Sequence, residues 1–438
     1  MSARVVVRTS TTADRAHPPP AHEMSRWVPA ASGLVQHTHA ARTCTQFETS
    51  KEPGADTVEV LSHPISHFLI TNTMISLRTS TLRRCNAGRV VTIVRSMSSI
   101  PETMKAAVVR ETGDANMLQY ETNYPTPKLQ KGQVIVKNEY SGVNFIDIYH
   151  RSGLYKRDLP FIGGQEGSGI VVAVSEEAVN EGVQVGDRVA YSVFGSYAEY
   201  TAVPAAKLLP VPKEVGLDVA ASLVVQGLTA HYLTTSAHAN LIKPGEWCLI
   251  HGVGGGTCQW AAQMAKNQGY KVIGTCSKGK EDVARKLGCD ELIVLEEVPG
   301  LFYEDYSSVD IVKRVMEVTN NVGCKAVIDG IGKSTMDISI DSLAHRGIFV
   351  SFGNASGAVP PFPVLRLINK SAYVTRPKLL DYIVTREELV ARANDVFSWF
   401  LDGKLFVSVD KVFPLENASS GHMYLADGKS KGKVLYKC

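Results

Sequence analysis

The chain lacks the features that would mark a membrane-spanning, disulfide-bonded or nucleic-acid-binding protein. Its eight cysteines among 438 residues include no CxxC pair, which argues against a disulfide framework and a structural zinc knuckle. No apolar run approaches the eighteen or so residues that cross a bilayer. Residues 104–438 carry 35 Lys and Arg against 36 Asp and Glu, so strong nucleic-acid binding is not expected. These absences predict a globular protein of a reducing compartment.

The first 103 residues differ in composition from the rest. They are rich in Ser, Thr, Ala, His and Arg with little periodicity, which predicts a disordered leader over 1–103. Within it, residues 74–97 hold five arginines, interleaved Ser and Thr, and no acid, a composition typical of a mitochondrial transit peptide. Such a peptide normally begins at the initiator methionine, so this one would require translation from Met74. We expect a cytoplasmic protein, with the mitochondrial matrix as the alternative if 74–97 acts as a transit peptide.

The remainder is predicted to be an α/β protein with two kinds of domain. Short β-branched runs separated by Gly, Pro, Asp and Asn indicate a β-rich domain over 104–229. Strands and helices then alternate over 230–365, which indicates βαβ crossovers on a doubly wound parallel sheet. Residues 366–438 return to mixed elements and are expected to rejoin the first domain.

A glycine cluster lies between a predicted strand, WCLIHG, and a predicted helix, CQWAAQMAKNQG. Gly254, Gly255 and Gly256 in this position predict a dinucleotide site, because a backbone without side chains can approach a pyrophosphate. The sixth position of the usual spacing, normally glycine, falls on Thr257 or Cys258. Both residues are small, so helix and sheet can still pack closely.

The turn after the next strand indicates which dinucleotide is bound. An NAD site usually places Asp or Glu there for the ribose 2′-hydroxyl, whereas a 2′-phosphate requires cations and hydroxyls. This turn offers Ser277, Lys278 and Lys280, with no acid before Glu281. The pattern favours NADPH, unless both lysines merely solvate an exposed loop.

Six stretches of the body carry a family resemblance: SGVNFIDIYHRSGLY (141–155), GGQEGSGIVVAV (163–174), VGDRVAYSVFGSYAEY (185–200), QGLTAHYL (226–233), FVSFGNASGAV (349–359) and YVTRPKLLDYIVTREEL (373–389). Through them, residues 104–438 resemble the zeta-crystallin-type quinone oxidoreductases of the medium-chain dehydrogenase/reductase superfamily. The resemblance implies a GroES-like catalytic domain joined to a Rossmann domain.

The resemblance also bears on metal content. Zinc alcohol dehydrogenases of this superfamily place a ligand cysteine and a His-Glu pair where this chain has Asn144 and Gln165-Glu166. These side chains supply no thiolate or imidazole, so we expect no metal and no Lewis-acid alcohol oxidation.

The resemblance implies roles for individual residues. Asn144 and Tyr149 would position the substrate, and Tyr155 would form an aromatic wall with an O–H donor, unless these tyrosines are ordinary packing groups. The implied cofactor contacts are Thr229 at the nicotinamide, Gly254, Gly255 and Gly256 at the pyrophosphate, Ser277, Lys278 and Lys280 at the 2′-phosphate, Phe352, Gly353 and Asn354 along the nicotinamide side, and Lys433 toward the cofactor. An insertion at 297–309 adds Tyr303 and Tyr306 near the adenine side.

The implied function is NADPH-dependent reduction of a small-molecule quinone by metal-free hydride transfer. Two alternatives stay open: an NADPH-dependent enoyl thioester or alkenal double-bond reductase, and a non-catalytic NADPH-binding protein of crystallin-like or RNA-binding type. Relatives of this kind are commonly homodimers or homotetramers joined through a sheet edge. Strand 347–353 is the candidate edge.

Overall fold

The computed structural model describes residues 95–96, 100–296 and 304–438. The transit-like segment up to residue 94 and Tyr303 therefore lie outside the described residues. A short strand, β1 (Arg95–Ser96), pairs antiparallel with Ala173 and Val174, and the next strand begins at Thr103. Regular structure thus begins before residue 104, so the predicted boundary of the leader at 103 is too late.

The first part of the body is built from short strands, in agreement with its β-branched runs. They are β2 (Thr103–Val109), β3 (Leu118–Pro125), β4 (Gln133–Val143), β5 (Phe161–Ile162), β6 (Gly167–Val174), β7 (Arg188–Tyr191), β8 (Tyr200–Pro204) and β9 (Leu208–Pro210). Strands β3, β2 and β5 form an antiparallel three-stranded sheet. Val134, Ile135 and Val136 of β4 are all fully buried, so this strand is covered on both faces.

Four helices connect these strands and lead toward the second domain: α1 (Phe145–Arg151), α2 (Glu176–Asn180), α3 (Leu217–Ser222) and α4 (Leu228–Thr235). Asn144 precedes α1, and its backbone N–H donates to Asp147 Oδ2 at 2.8 Å, which fixes the start of the helix. A π-helical turn at Leu223–Gly227 precedes α4. Such turns are frequent at functional sites.

The second part is a six-stranded parallel sheet. Its strands and helices are β10 (Trp247–Ile250), α5 (Gly256–Asn267), β11 (Lys271–Ser277), α6 (Glu281–Ala284), β12 (Glu291–Leu295), α7 (Ile311–Val318), β13 (Cys324–Asp329), α8 (Met336–Asp341), β14 (Leu343–Ser351) and β15 (Tyr373–Thr375). The strand order is β12-β11-β10-β13-β14-β15. The order reverses between β10 and β13, and ligands of doubly wound sheets bind at the carboxyl ends of the strands there.

Two predictions about this sheet are wrong in detail. β14 pairs with β13 on one side and with β15 on the other, so strand 347–353 is not an edge. β15 also extends the parallel sheet beyond residue 365, the residue at which the sequence pattern predicts the end of the doubly wound domain. Three residues are too few to give a periodic pattern, so the sequence does not predict this strand.

The C-terminal segment returns to the first part of the body. Helix α9 (Arg386–Leu401) packs on α4, where Asp395 Oδ2 lies 3.0 Å from His231 Nε2. Then β16 (Val409–Pro414), α10 (Ala418–Ala426) and β17 (Lys433–Lys437) follow. β17 pairs with β4 and completes an eight-stranded sheet in the order β16-β17-β4-β6-β7-β9, with β1 on β6 and β8 on β4. Within the described residues, no helix is long and apolar enough to cross a membrane.

Candidate active site

A cavity of about 950 Å³ contains most of the residues singled out from the sequence. Its volume lies in the range of cofactor and ligand sites. The predicted residues that line it are Asn144, Tyr149, Tyr155, Thr229, Gly254, Gly255, Gly256, Ser277, Lys280, Phe352 and Gly353. Lys278, Asn354 and Lys433 do not line it. Both parts of the body contribute to its walls, so folding brings these distant segments together.

The glycine loop forms one wall of the cavity at the carboxyl end of β10. A Cβ on Gly254 would approach Lys280 Cβ to 2.6 Å, and one on Gly256 would approach Gln226 Oε1 to 2.3 Å. Neighbouring protein atoms therefore leave no room for a side chain at these two positions. A Cβ on Gly255 would meet only Gly252 O, at 3.4 Å, and Gly255 lines the cavity. Gly255 is thus the glycine of the three at which a side chain would meet the least protein.

Ser277 and Lys280 lie on the cavity wall at the end of β11, but Lys278 does not. Lys278 Nζ instead lies 2.6 Å from Glu281 Oε2 in an exposed ion pair. Its predicted role at a 2′-phosphate is therefore not supported by its position. Tyr306, from the inserted segment, lines the cavity nearby with its hydroxyl 3.4 Å from Thr275 Oγ1.

Tyr149 and Tyr155 form an edge-to-face pair, 5.3 Å between ring centroids, in the cavity wall. Asn354 holds both hydroxyl groups. Its backbone N–H donates to Tyr149 Oη at 2.9 Å, and its side-chain Nδ2 donates to Tyr155 Oη at 3.2 Å. Each hydroxyl oxygen is thus an acceptor, which leaves its own proton to donate. Burial raises the pKa of Tyr149 to about 12, so Tyr149 stays protonated at neutral pH.

Arg376 is a site residue that the sequence reasoning missed. Its Nη1 donates to Ser351 O at 3.1 Å and to Gly353 O at 2.9 Å, and its Nη2 donates to Tyr155 Oη at 3.3 Å. It also lines the cavity. Arg376 belongs to the stretch YVTRPKLL, which carried the family resemblance, but no spacing along the chain connects it to Tyr155.

Lys433 lies behind the cavity in a fully buried cluster. Its ammonium forms an ion pair with Glu166 and donates to Asn144 Oδ1 at 3.0 Å. Asn144 Nδ2 donates to Glu166 Oε1 at 2.7 Å, and Val225 N–H donates to Glu166 Oε2 at 2.5 Å. Lys433 therefore contacts the Asn144 and Glu166 side chains and does not line the cavity, so its position does not support the predicted contact with the cofactor.

This cluster does not fit a zinc ion. Zinc is bound in enzymes mainly by Cys and His, with Asp or Glu completing the set. Here the amide of Asn144 and the carboxylate of Glu166 bind each other and the ammonium of Lys433. A fixed buried cation beside these oxygens would repel a second one. No group of three or more His, Cys, Asp or Glu among the described residues could hold a metal.

A second buried polar cluster supports α1 from the side away from the cavity. Tyr197 O–H donates to Asp147 Oδ2 at 2.8 Å, and His422 Nε2 lies 3.3 Å from the same hydroxyl. Arg151 Nη1 lies 3.1 Å from His422 Nδ1. Asp147 Oδ1 has no hydrogen-bond partner in the described part of the chain. Burial raises the pKa of Asp147 to about 7 and lowers that of His422 to about 3.

Asp147 is expected to make stability depend on pH. Its folded-state pKa of about 7 exceeds the ordinary 3.8, so the native protein retains a proton that the unfolded chain has released between those values. The free energy of unfolding should therefore fall as pH rises across this window, by at most about 1.4 kcal/mol per pH unit, and level off above it. Urea unfolding of the chain and of Asp147→Asn across this range measures the difference. An unchanged pH slope in the variant would contradict the assignment.

Comparison with known proteins gives a consistent set of relatives. The profile of the alcohol dehydrogenase GroES-like domain matches residues 130–213, and that of the zinc-binding dehydrogenases matches 256–390. A quinone oxidoreductase of Pseudomonas aeruginosa is 37% identical over 328 residues, 74% of this chain and 96% of its own length. A 2-haloacrylate reductase of a Burkholderia species is 34% identical over 346 residues, 76% of this chain and 98% of its own.

A solved structure agrees with these sequence matches. The crystal structure of Escherichia coli quinone oxidoreductase complexed with NADPH matches with a TM-score of 0.70 and 34% identity. The match covers 77% of this chain and 99% of that one.

Proposed function

The chain belongs to the quinone oxidoreductase type of the medium-chain dehydrogenase/reductase superfamily, and we propose that it reduces quinones with NADPH. The observation that supports the proposal is that the glycine loop, Tyr149 and Tyr155 line one and the same cavity. A dinucleotide site and two O–H donors in the same cavity would suit hydride transfer onto an oxygen-bearing acceptor.

Residues along the cavity fit the parts of NADPH, which when bound supplies the hydride. The open face of Gly255 and the first N–H groups of α5 would hold the pyrophosphate. Ser277 and Lys280 would hold the 2′-phosphate. Thr229 and Phe352 would line the nicotinamide side. A Cβ on Gly353 would come 2.3 Å from Gly330 O, so this glycine lets two loops approach each other.

The tyrosines would stabilise the charge that develops on the substrate oxygen. Arg376 Nη2 donates to the Tyr155 hydroxyl oxygen at 3.3 Å, and this cation favours donation of the tyrosine proton to the substrate. Tyr149 is a second donor, kept protonated by burial. Asn144 would act indirectly, because its amide already donates to Glu166 and to Gly142 O, the latter at 3.5 Å, and accepts from Lys433. It therefore positions the start of α1 rather than donating to the substrate.

The experiment that tests this function compares acceptors and donors with the full chain. Consumption of NADPH is measured with an ortho-quinone and with an enoyl-CoA, and NADH replaces NADPH as the control donor. We expect turnover with the quinone and NADPH, and little with the other combinations. Preference for the enoyl-CoA would contradict the substrate assignment and favour a double-bond reductase.

We also propose that the chain assembles as a homodimer, or as a homotetramer of such dimers. β15 lies at the edge of the parallel sheet in the described part of the chain, and its unpaired side can accept another strand. Exposed apolar side chains cluster along and before it in the sequence: Val364, Leu365, Ile368, Tyr373 and Val374. Sedimentation of the chain and of Val374→Lys checks this, and a monomeric wild-type chain would exclude it.

The compartment we propose is the cytoplasm, or the mitochondrial matrix if residues 74–97 direct import. Six cysteines in the described residues are free thiols, as in proteins of reducing compartments. Cell fractionation with an antibody to the C-terminal segment distinguishes the two, and recovery from a secreted fraction would exclude both.

A further inference from the structure

A loop from the C-terminal segment contributes to the cavity wall. Lys429, Ser430, Lys431 and Gly432, between α10 and β17, line the cavity together with Ser277 and Lys280. This loop is far from the glycine motif in sequence. The Rossmann pattern therefore gives no reason to expect a cofactor contact from it.

The backbone of Lys431 is held on both sides. Its N–H donates to Asp410 Oδ2 at 3.0 Å, and its carbonyl accepts from Gln259 Nε2 at 2.7 Å. Gln259 is buried in α5, and its Nε2 also donates to Gly254 O at 3.1 Å. One side chain thus links Lys431 to the glycine loop. The main chain of Lys431 is fixed relative to the dinucleotide site.

The side chain of Lys431, in contrast, is partly exposed. Its ammonium is exposed and lies 3.2 Å from Asp282 Oδ1. Asp282 follows Lys280 by two residues, so this ion pair spans from the C-terminal loop to the turn that carries Ser277 and Lys280. Lys431 holds the pKa of Asp282 below its ordinary value. The pair is exposed on both sides, and such surface pairs contribute little to stability.

We propose that Lys431 is a specificity residue that leaves Asp282 and binds the 2′-phosphate of NADPH. This inference rests on the proposed use of NADPH. A phosphate dianion is a stronger partner for an ammonium than a solvated carboxylate, and the side chain can turn while its backbone stays in place. Lys431 then supplies the second cation at the 2′-phosphate, a role that the sequence pattern assigns to Lys278, which is paired with Glu281. Asp282 competes for Lys431 in the free protein and disfavours cofactor binding.

The test uses two small probes that lack the nicotinamide: 2′,5′-ADP, which carries the 2′-phosphate, and 5′-AMP, which does not. Calorimetry with the full chain gives the dissociation constant of each. Lys431→Gln is expected to weaken 2′,5′-ADP about tenfold and to leave 5′-AMP unchanged. Asp282→Asn is expected to tighten 2′,5′-ADP, and this gain should shrink when Lys431 is also replaced. The control is Lys404→Gln, which removes an exposed lysine paired with Asp402 and should change neither.

Equal losses for both probes, or no loss with Lys431→Gln, would overturn the inference. A wild-type chain that does not prefer 2′,5′-ADP over 5′-AMP would overturn it together with the assignment of NADPH. If the preference and its dependence on Lys431 are found but no quinone is reduced, the inference is supported and only the proposed substrate fails.

Discussion

Replacing Lys433 by methionine is expected to lower the free energy of unfolding by about 3–5 kcal/mol. Lys433 and Glu166 are both completely buried, and the ammonium is bonded to Glu166 and Asn144. Methionine keeps the apolar stem but leaves the Glu166 carboxylate without its cation. An unpaired buried charge costs far more than the net contribution of the pair. Urea unfolding followed by circular dichroism measures the loss.

A lysine on the same strand provides the control. Lys437 is paired with Glu139 at 3.0 Å, and both side chains are more than two-fifths exposed. Lys437→Met should therefore cost only about 0–1 kcal/mol. Adding Glu166→Gln to Lys433→Met should recover part of the loss, because the remaining group is neutral. Similar losses for the two lysine variants would show that burial of the pair has no special effect.

Replacing Tyr155 by phenylalanine is expected to lower kcat for quinone reduction about 100-fold while changing KM little. The ring and its contact with Tyr149 remain, so the binding surface is preserved. What is lost is the hydroxyl that Asn354 and Arg376 hold at the cavity. A donor that acts on developing charge contributes mainly to the transition state, which is why kcat should fall. Steady-state kinetics with NADPH and an ortho-quinone separates the two constants.

Two variants help to interpret that result. Tyr140→Phe alters a tyrosine of β4 outside the cavity lining and should leave kcat unchanged. Tyr149→Phe removes the second hydroxyl and shows whether the two donors are equivalent. If Tyr155→Phe keeps full kcat, the proton and the charge stabilisation come from elsewhere, and the role assigned to Tyr155 is wrong.

Most of the fold could be predicted from the sequence, because the patterns that indicate its strands and helices are local. Alternating strands and helices predicted the parallel sheet, and the glycine cluster predicted the loop after β10. The β-branched runs predicted the antiparallel strands of the first part. The prediction of the sheet edge is wrong because β15 has only three residues, too few for a periodic pattern. The sequence therefore indicates the neighbouring strand β14 as the edge.

Only part of the site could be predicted from the sequence, because several of its side-chain contacts depend on the tertiary structure. Lys278 and Lys280 are two residues apart, and spacing alone could not show that Glu281 holds the first of them. Lys433 was expected at the cofactor, but pairing of β17 with β4 directs its ammonium to Glu166. Arg376 reaches Tyr155 across 221 positions of sequence, a contact that no motif encodes.

On this account the chain transfers a hydride from NADPH to a quinone without a metal. It is tested most directly by a single turnover of chelator-treated protein, with an ortho-quinone and NADPH carrying hydrogen or deuterium at the reactive carbon. We expect the rate to be unchanged by chelation and to be slower with deuterium. A rate that is lost on chelation and restored by zinc would contradict the account.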